Sequence, residues 1–382
     1  MSPAKKLSRH EKSTDVFLRA GVQAIADTGI DRISVSQVTE IAEATRPTFY
    51  SYFGDIDGLL ADIWLGYSEQ WLKELSDVDY NIDKQDKFKK DLWLTLSEIL
   101  AITHRVPALQ EVVEPTMQVW TNKLSEHSML SQLKTYWLVG TRLGISITQG
   151  VDKKVSLAKI IEPMVKYAPD EPTVKLAELK PALLPPVSDP KISELTIENQ
   201  LIQAAIEVIA SAGAAAASMT RISRKARLST GSAYPRFANS ADLINSSFEM
   251  AVSRVVEENF SFIDLEGFGP EDFGLFVTAG LTPPRKTWRN FRIEIHLEGR
   301  INKELAKRLA KSLQLTNAEV AKGLVKYGHP EMTEQAIPYF MHAVGIGFAI
   351  LLNAGAPVAT LDQRMVTVEF VRLFDKLAEA IR

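Results

Sequence analysis

Along most of the chain, apolar residues recur at the three- and four-residue spacing of helices that bury one face. No segment sustains the alternation of a half-buried strand. Phe17, Ala20, Gly21, Ala24 and Ile25 follow the helical spacing, and Leu201, Ala204, Ala205, Val208 and Ile209 repeat it at an offset of 184. The correspondence runs without a gap from residues 17–60 to residues 201–244. Gly29 pairs with Gly213, Ser34 with Ser218, Val38 with Ile222 and Ala42 with Ala226. Tyr50 then pairs with Tyr234, Phe53 with Phe237, and Leu59-Leu60 with Leu243-Ile244. Nine of the 44 positions are identical, too few for a recent copy, yet the glycine, the cap residue and the aromatics recur together. The repeat is an old duplication or a shared fold. A weaker echo pairs Val139-Gly140 and Gly150 with Val344-Gly345 and Gly355 at an offset of 205.

Each repeated unit carries the signals of three short helices. Gly29 is placed to end the first in a left-handed conformation. Ser34 with Gln37 has the form of a capping box, opening a helix to about Ala44. Thr45 caps a third helix, with Pro47 tolerated in its first turn, followed by the aromatics Phe49, Tyr50, Tyr52 and Phe53. Gly213, Ser218 and Ser229 take the same roles in the second unit, where Arg221 replaces the capping-box glutamine. Tyr50, Phe53, Tyr234 and Phe237 are expected in the core, the tyrosine hydroxyls alone reaching outward. Between the repeats, the stretch from Pro169 to Pro190 holds six prolines and reads as a linker.

Composition narrows the class. The chain has 382 residues, 46% hydrophobic and 24% charged, as in a soluble globular protein of more than one domain. It has no cysteine, which excludes disulfides, thiolate metal sites and cysteine nucleophiles. The absence of disulfides suits a cytoplasmic location. The longest apolar run, about Ala343 to Leu352, is too short to span a bilayer, so no membrane partner is expected. Met1 to His10 lacks the apolar core of a secretory leader. None of the six histidines sits at ligand spacing, and His296 with Glu294 and Glu298 is the nearest cluster. No nucleophile–base set can be assembled. No cofactor, no metal and no catalysis are expected.

The run Ser34-Val-Ser-Gln-Val, Ile41-Ala42, Thr45-Arg-Pro-Thr-Phe-Tyr-Ser-Tyr-Phe53 and Leu59-Leu60 resembles the DNA-binding domain of the tetracycline-repressor (TetR) family. Ser229-Thr-Gly-Ser-Ala-Tyr-Pro-Arg-Phe237 is similar to the same pattern more loosely. The family pattern has a lysine three residues after the phenylalanine, where Ile56 and Ser240 stand. The resemblance implies an all-α chain of two tandem TetR-like units, each a three-helix helix-turn-helix domain followed by a helical effector and dimerisation domain. The expected divisions are 1–60 with a basic arm (Lys5, Lys6, Arg9, Lys12), 61–168, the linker 169–195, 196–246 and 247–382.

It also implies double-stranded DNA as partner. In the first unit Ser34, Ser36, Thr45, Arg46, Thr48, Tyr50, Ser51 and Tyr52 would meet bases or phosphates. In the second, Ser218, Thr220, Arg221, Arg224, Thr230, Ser232, Tyr234 and Arg236 would do so. The units differ in charge. Between Ser34 and Leu60, Arg46 faces Glu40, Glu43, Asp55 and Asp57, a net of −3. Between Ser218 and Ile244, Arg221, Arg224, Lys225, Arg227 and Arg236 face Asp242, a net of +4. The operator is therefore expected to have two unlike half-sites.

An unidentified small-molecule effector is expected to release a repressor, with Trp93, Met117, Trp120, Trp137, Phe276 and Trp288 as candidate lining. In the family the last helices form a four-helix dimer bundle. Tyr339 to Leu352 and Met365 to Ile381 would supply one pair here, and Leu130 to Gln149 with Ser156 to Tyr167 the other. The chain would then be a monomeric pseudo-dimer, or a homodimer of tandem chains. The alternative is a protein–protein adaptor with one or both helix-turn-helix units degenerate.

Overall fold

The computed structural model describes residues 9–148, 196–262, 270–324 and 336–369, with the isolated positions 178, 179, 189 and 192. Among the described residues every regular element is helical, and no strand occurs. The basic arm at Lys5 and Lys6, the side chains of Arg9 and Lys12, the stretch from Ser156 to Tyr167 and most of the linker lie outside them. So does most of the expected last helix, Met365 to Ile381.

The first copy runs α1 (Arg9–Thr28), α2 (Val35–Ile41), α3 (Arg46–Phe53), α4 (Ile56–Ser76), α5 (Lys87–Ile102), α6 (Pro107–Ser125) and α7 (Met129–Thr148). The second runs α8 (Ile197–Ala212), α9 (Met219–Lys225), α10 (Thr230–Ala233), α11 (Ser240–Phe262) and α12 (Pro270–Leu281). It continues with α13 (Lys286–Ile301), α14 (Lys303–Leu324) and α15 (Ala336–Asn353). The chain divides into two compact units, Met1–Gln118 and Val119–Arg382, so α7 belongs to the second although it precedes the linker.

In the first unit, the apolar face of α1 packs on α2, α4 and α5. Phe17, Ala20, Ala24 and Ile25 are buried there with Leu59, Leu60 and Ile63 of α4. α5 also holds the turn after α1 by polar bonds. The buried Glu98 accepts from the Ile30 N–H at 3.1 Å, and Arg105 pairs with Asp31 at 2.6 Å.

In the second unit, α8 packs against α13, α11 and α9. One apolar cluster runs from Leu201, Ala205 and Ile209 through Phe237 to Phe291 and Ile295, so this three-helix domain and its body share a core. The linker is anchored where it is described. Both carboxylate oxygens of Asp189 accept from the first turn of α13, from Thr287 N–H at 3.2 Å and Trp288 N–H at 2.9 Å. That satisfies donors which the helix itself leaves open. Ile192 is buried in the same core.

The closest helix contact of this unit joins α7 to α15. A Cβ on Gly347 would overlap the carbonyl oxygen of Gly140, and one on Gly144 that of Ala343. As one helix advances from 140 to 144 the other retreats from 347 to 343, so the pair is antiparallel. Phe348 fills the space that Gly140 leaves, where an added Cβ would lie 2.6 Å from its ring. Its ring meets Trp137 edge to face, with centroids 5.6 Å apart. The Trp137 indole donates to Gln363 at 2.8 Å, and Gln363 donates to the Val358 carbonyl at 2.8 Å. The structure uses Gly347 with Gly140, Gly144 and Ala343, whereas Gly345 lies beside the Arg292 guanidinium, where a Cβ would be in ordinary contact.

Overpacking a close-packed core costs about 1–3 kcal/mol, and a backbone overlap lies at the upper end. Gly347→Leu should lower the urea midpoint of the full chain accordingly. Asp189→Ala should remove about 1 kcal/mol, the usual worth of an N-terminal cap, read in the same titration.

Candidate nucleic-acid interface

The two three-helix domains have one backbone design. Gly29 and Gly213 both end their first helix at φ 85°, with ψ 152° and 157°. This is not the left-handed helical conformation expected of a C-terminal cap. It belongs to the region that glycine alone enters without strain, so the pairing of these glycines has a steric cause. A 3₁₀ turn follows in each, Ile30–Arg32 and Ala214–Ala216.

The turn between the second and third helices also repeats. Glu43 and Arg227, equivalent positions of the two copies, stand at φ 50° and 58°. Ala44 N–H bonds to Thr39 O at 2.9 Å and Glu43 N–H to Glu40 O at 3.2 Å. Leu228 to Ser223 at 2.9 Å and Arg227 to Arg224 at 3.1 Å complete the same motif in the second copy. These two bonds close a helix end sharply and aim the next helix away. Neither position carries the glycine that usually betrays such a turn in sequence.

Caps then start the exposed third helices. Thr45 Oγ1 accepts from Thr48 N–H at 3.3 Å, and the two hydroxyls lie 2.8 Å apart. Ser229 and Ser232 repeat this at 3.2 and 3.0 Å. On the helices before them, Ser34 and Ser218 cap Gln37 and Arg221. Ser34 Oγ also donates to Gln37 Oε1 at 2.9 Å, so the glutamine binds the capping hydroxyl itself.

Within α3 the aromatics separate by role. Phe49 and Phe53 are buried and meet Phe17 edge to face, with centroids 5.9 and 5.6 Å away. Tyr52 lies partly buried beside Phe17. Tyr50 is 52% exposed and Tyr234 59% exposed, which corrects their expected place in the core. On a helix of 3.6 residues per turn, positions 49 and 53 share the inner face and position 50 points elsewhere. Phe237 is buried as expected, whereas Ala233 replaces Phe49, so the second domain lacks the aromatic cluster.

The outward face of the first domain carries Ser36, Thr45, Arg46, Tyr50 and Ser51, with Ser34, Thr48 and Tyr52 partly buried. Arg46, the first residue of α3, donates to Ser36 Oγ at 2.6 Å, so the guanidinium joins the starts of α2 and α3. Ser51 bonds back to Thr48 O at 2.7 Å.

The second domain is arranged differently. Its cations leave the third helix for the second. Arg221, Arg224 and Lys225 lie exposed on α9 and Arg227 in the turn, while Met219, Ile222 and Ser223 face inward. Ser218 and Thr220 are exposed on the same helix, with Thr230 and Ser232 partly buried on α10. Lys225 pairs with Glu207 of α8 at 2.9 Å. Burial pushes the Glu207 carboxyl up, but hydrogen bonds from Lys225 and Gln203 outweigh it and hold it below its ordinary value.

α10 keeps four residues where α3 has eight. Pro235 stands where Ser51 stands in the first copy and has no N–H to continue the ladder. Arg236 N–H turns to Ala233 O at 2.9 Å, and its guanidinium takes the Ser232 carbonyl at 2.7 Å.

The candidate effector residues whose side chains are described are all buried. Trp93 stacks on Tyr80 at 5.3 Å, and Met117 is buried in the same unit. In the other unit Trp120 meets Tyr136 at 5.5 Å, Trp137 sits at the α7–α15 crossing, and Trp288 stacks on Phe291 at 6.1 Å. The side chain of Phe276 lies outside the described residues. No group of three metal-ligating side chains occurs among the described residues, and no described helix is long and apolar enough to cross a membrane.

Residues 17–63 and residues 201–246 each match the family described as bacterial regulatory proteins, tetR family. A crystal structure of a transcriptional regulator from Rhodococcus sp. Rha1 is similar over 47% of this chain and 97% of that one, at 15% identity and a TM-score of 0.41. No curated protein matches the chain.

Neighbouring aromatics should respond oppositely to truncation. Phe49→Ala should cost the first domain about 3–5 kcal/mol, as for a large core side chain, and Tyr50→Ala under about 0.5 kcal/mol. Hydrogen exchange of α1 amides in the full chain reads both.

Proposed function

From a chain that carries the tetR-family domain twice in tandem, we propose a DNA-binding transcriptional regulator that works as a covalent pseudo-dimer. The carrying observation is the pair of matched domains with one backbone design and different outward chemistry. The helical body that follows each domain supports regulation by a small molecule rather than catalysis, in the cytoplasm.

The α7–α15 crossing supports the pseudo-dimer. In a two-fold dimer, equivalent helices meet antiparallel about a residue and its own equivalent. The observed antiparallel register, with Gly140 opposite Gly347, sets Thr141 opposite Ile346, which stand at the same offset as the sequence echo. One chain thus supplies both partners of the contact that two chains would otherwise make.

The domains divide the work of binding. Arg46, Thr48, Tyr50 and Ser51 on α3 suit base edges, where arginine pairs with guanine and threonine meets a thymine methyl. Ser34, Ser36, Thr45 and Tyr52 flank them for the phosphates. In the second domain Arg221, Arg224 and Arg236, with Ser218, Thr220, Thr230, Ser232 and Tyr234, place more charge beside the reading helix than on it. That arrangement suits phosphate neutralisation more than base reading. The operator therefore has two unlike half-sites. An effector that prefers the non-binding conformation releases the DNA, and DNA weakens the effector by the same factor.

Arg46→Ala should cost about 1–3 kcal/mol on the cognate sequence and relax one base position. Arg224→Ala should weaken all sequences alike and reduce the salt slope by about one. Mobility shifts at several salt concentrations measure both. Footprinting should show two different half-sites about one helical turn apart on one chain. A perfect palindrome bound by two separate chains would overturn the pseudo-dimer, and sequence-blind binding unaffected by Arg46→Ala would favour the adaptor.

A further inference from the structure

Two histidines that sequence spacing keeps apart meet where α13 joins α15. His342 Nε2 and His296 Nε2 are 3.0 Å apart. His296 Nδ1 lies 2.7 Å from the Arg292 carbonyl, one turn earlier on α13. Arg292 Nη2 reaches His342 Nδ1 at 3.1 Å and the His342 carbonyl at 3.3 Å. The guanidinium also lies over the Trp288 ring, 5.7 Å from its centroid. Gly345 lies alongside, where a Cβ would be in ordinary van der Waals contact with Arg292 Nη1 at 3.4 Å.

These contacts fix both tautomers. A carbonyl only accepts, so His296 Nδ1 carries the hydrogen and its Nε2 is a lone pair. A guanidinium only donates, so His342 Nδ1 is a lone pair and its Nε2 carries the hydrogen. The His342 Nε2–H then donates to His296 Nε2, and the ring of bonds closes with both imidazoles neutral. A metal bridging the two Nε2 atoms would require the hydrogen on His342 Nδ1, against the Arg292 donor. No third ligand joins them among the described residues.

We propose that Arg292, His342 and His296 form an acid-released latch that ties α13 to α15 only while both imidazoles are neutral. A proton on His296 sets N–H against N–H at the 3.0 Å contact, and one on His342 sets N–H against the Arg292 guanidinium. Either breaks the ring beside a fixed positive charge. The latch sits between the helix that supports the second DNA-binding domain, through α8, and the helix that crosses α7.

Electrostatics act in the same direction. Burial holds His296 down at about 4, and the nearby Arg292 charge adds to this against the hydrogen bond to its carbonyl. Burial, Arg292 and His296 hold His342 well below its ordinary value. Burial and Arg285, from the turn before α13, bring Arg292 down to about 10. The described ionisable groups on the packed helices include Glu294 and Glu298 of α13, Lys134 and Arg142 of α7, and Lys303 and Glu304 of α14. The nearby fixed charge that lowers both imidazoles is that of Arg292.

Both histidine values lie below that of the open state, so the open state binds more protons as acid is added. The latch is at full strength above about pH 6.5 and weakens as pH falls toward 4. For His296 alone, values of 6.5 open and about 4 closed favour opening about thirtyfold at pH 5.

The test is nitrogen NMR of histidine-labelled full-length protein from pH 8 to 4.5, with His296→Gln and His342→Gln spectra for assignment. Two imidazoles should stay neutral at pH 6, His296 as the Nδ1–H tautomer and His342 as the Nε2–H tautomer. Loss of both signals together, as pH falls further, supports the latch. Ordinary titration of either near 6.5, the same tautomer in both, or a shift of either on adding zinc overturns it. If the variants fail to fold, a contact between the two imidazoles, whose ring centroids lie 4.9 Å apart, identifies the pair in the unaltered chain. The spectra need no DNA, so failure of the regulator reading leaves this result unchanged.

Discussion

The antiparallel crossing of α7 and α15 is the constraint on which the second unit depends. Backbones approach this closely only where side chains are missing, and Gly140, Gly144 and Gly347 supply the gaps. Once α15 is seated, its Asn353 takes a place beside α13, donating to Asn290 at 2.9 Å. His342, about three turns earlier on α15, reaches the same helix. α13 in turn carries α8 and receives the linker through Asp189. A single steric fact therefore leads from the crossing to the placement of the second three-helix domain on its body.

The two three-helix domains separate what a fold must keep from what it can change. The glycine of unusual φ, the left-handed turn residue and the hydroxyl caps recur at equivalent positions of both copies, because each satisfies a backbone group that has no alternative partner. The outward residues are free of that demand. Arg46 and Thr48 became Thr230 and Ser232, while Glu40, Ile41 and Glu43 became Arg224, Lys225 and Arg227. The shell changed its charge from acidic to basic while the second helix kept its seven residues and the turn after it its geometry. Support for the domains changed too, from the polar bonds of Glu98 and Arg105 in the first to alanines packed on α13 in the second.

Much of this is legible along the chain, and the exceptions have physical reasons. Helix positions, the duplication and the caps at Ser34, Thr45, Ser218 and Ser229 follow from short-range patterns. The exposure of Tyr50 is hidden in a cluster of aromatics, and that of Tyr234 in its pairing with Tyr50, since the register of a short helix decides which ring faces in. The turn at Glu43 and Arg227 carries no glycine to reveal it. The Arg46–Ser36 bond joins two separate helices, and Asp189 lies in a proline-rich stretch that suggests only a spacer.

What the sequence by itself determined is an all-helical chain with a duplicated three-helix domain, because capping, turn geometry and apolar periodicity act within a few residues. Only the tertiary structure decided which small residues meet at the α7–α15 crossing and that His296 meets His342 across 46 positions. Such contacts depend on the rotation and sliding of one helix against another. Periodicity within a helix names the face that is buried; it does not say which residue of a distant helix that face will meet.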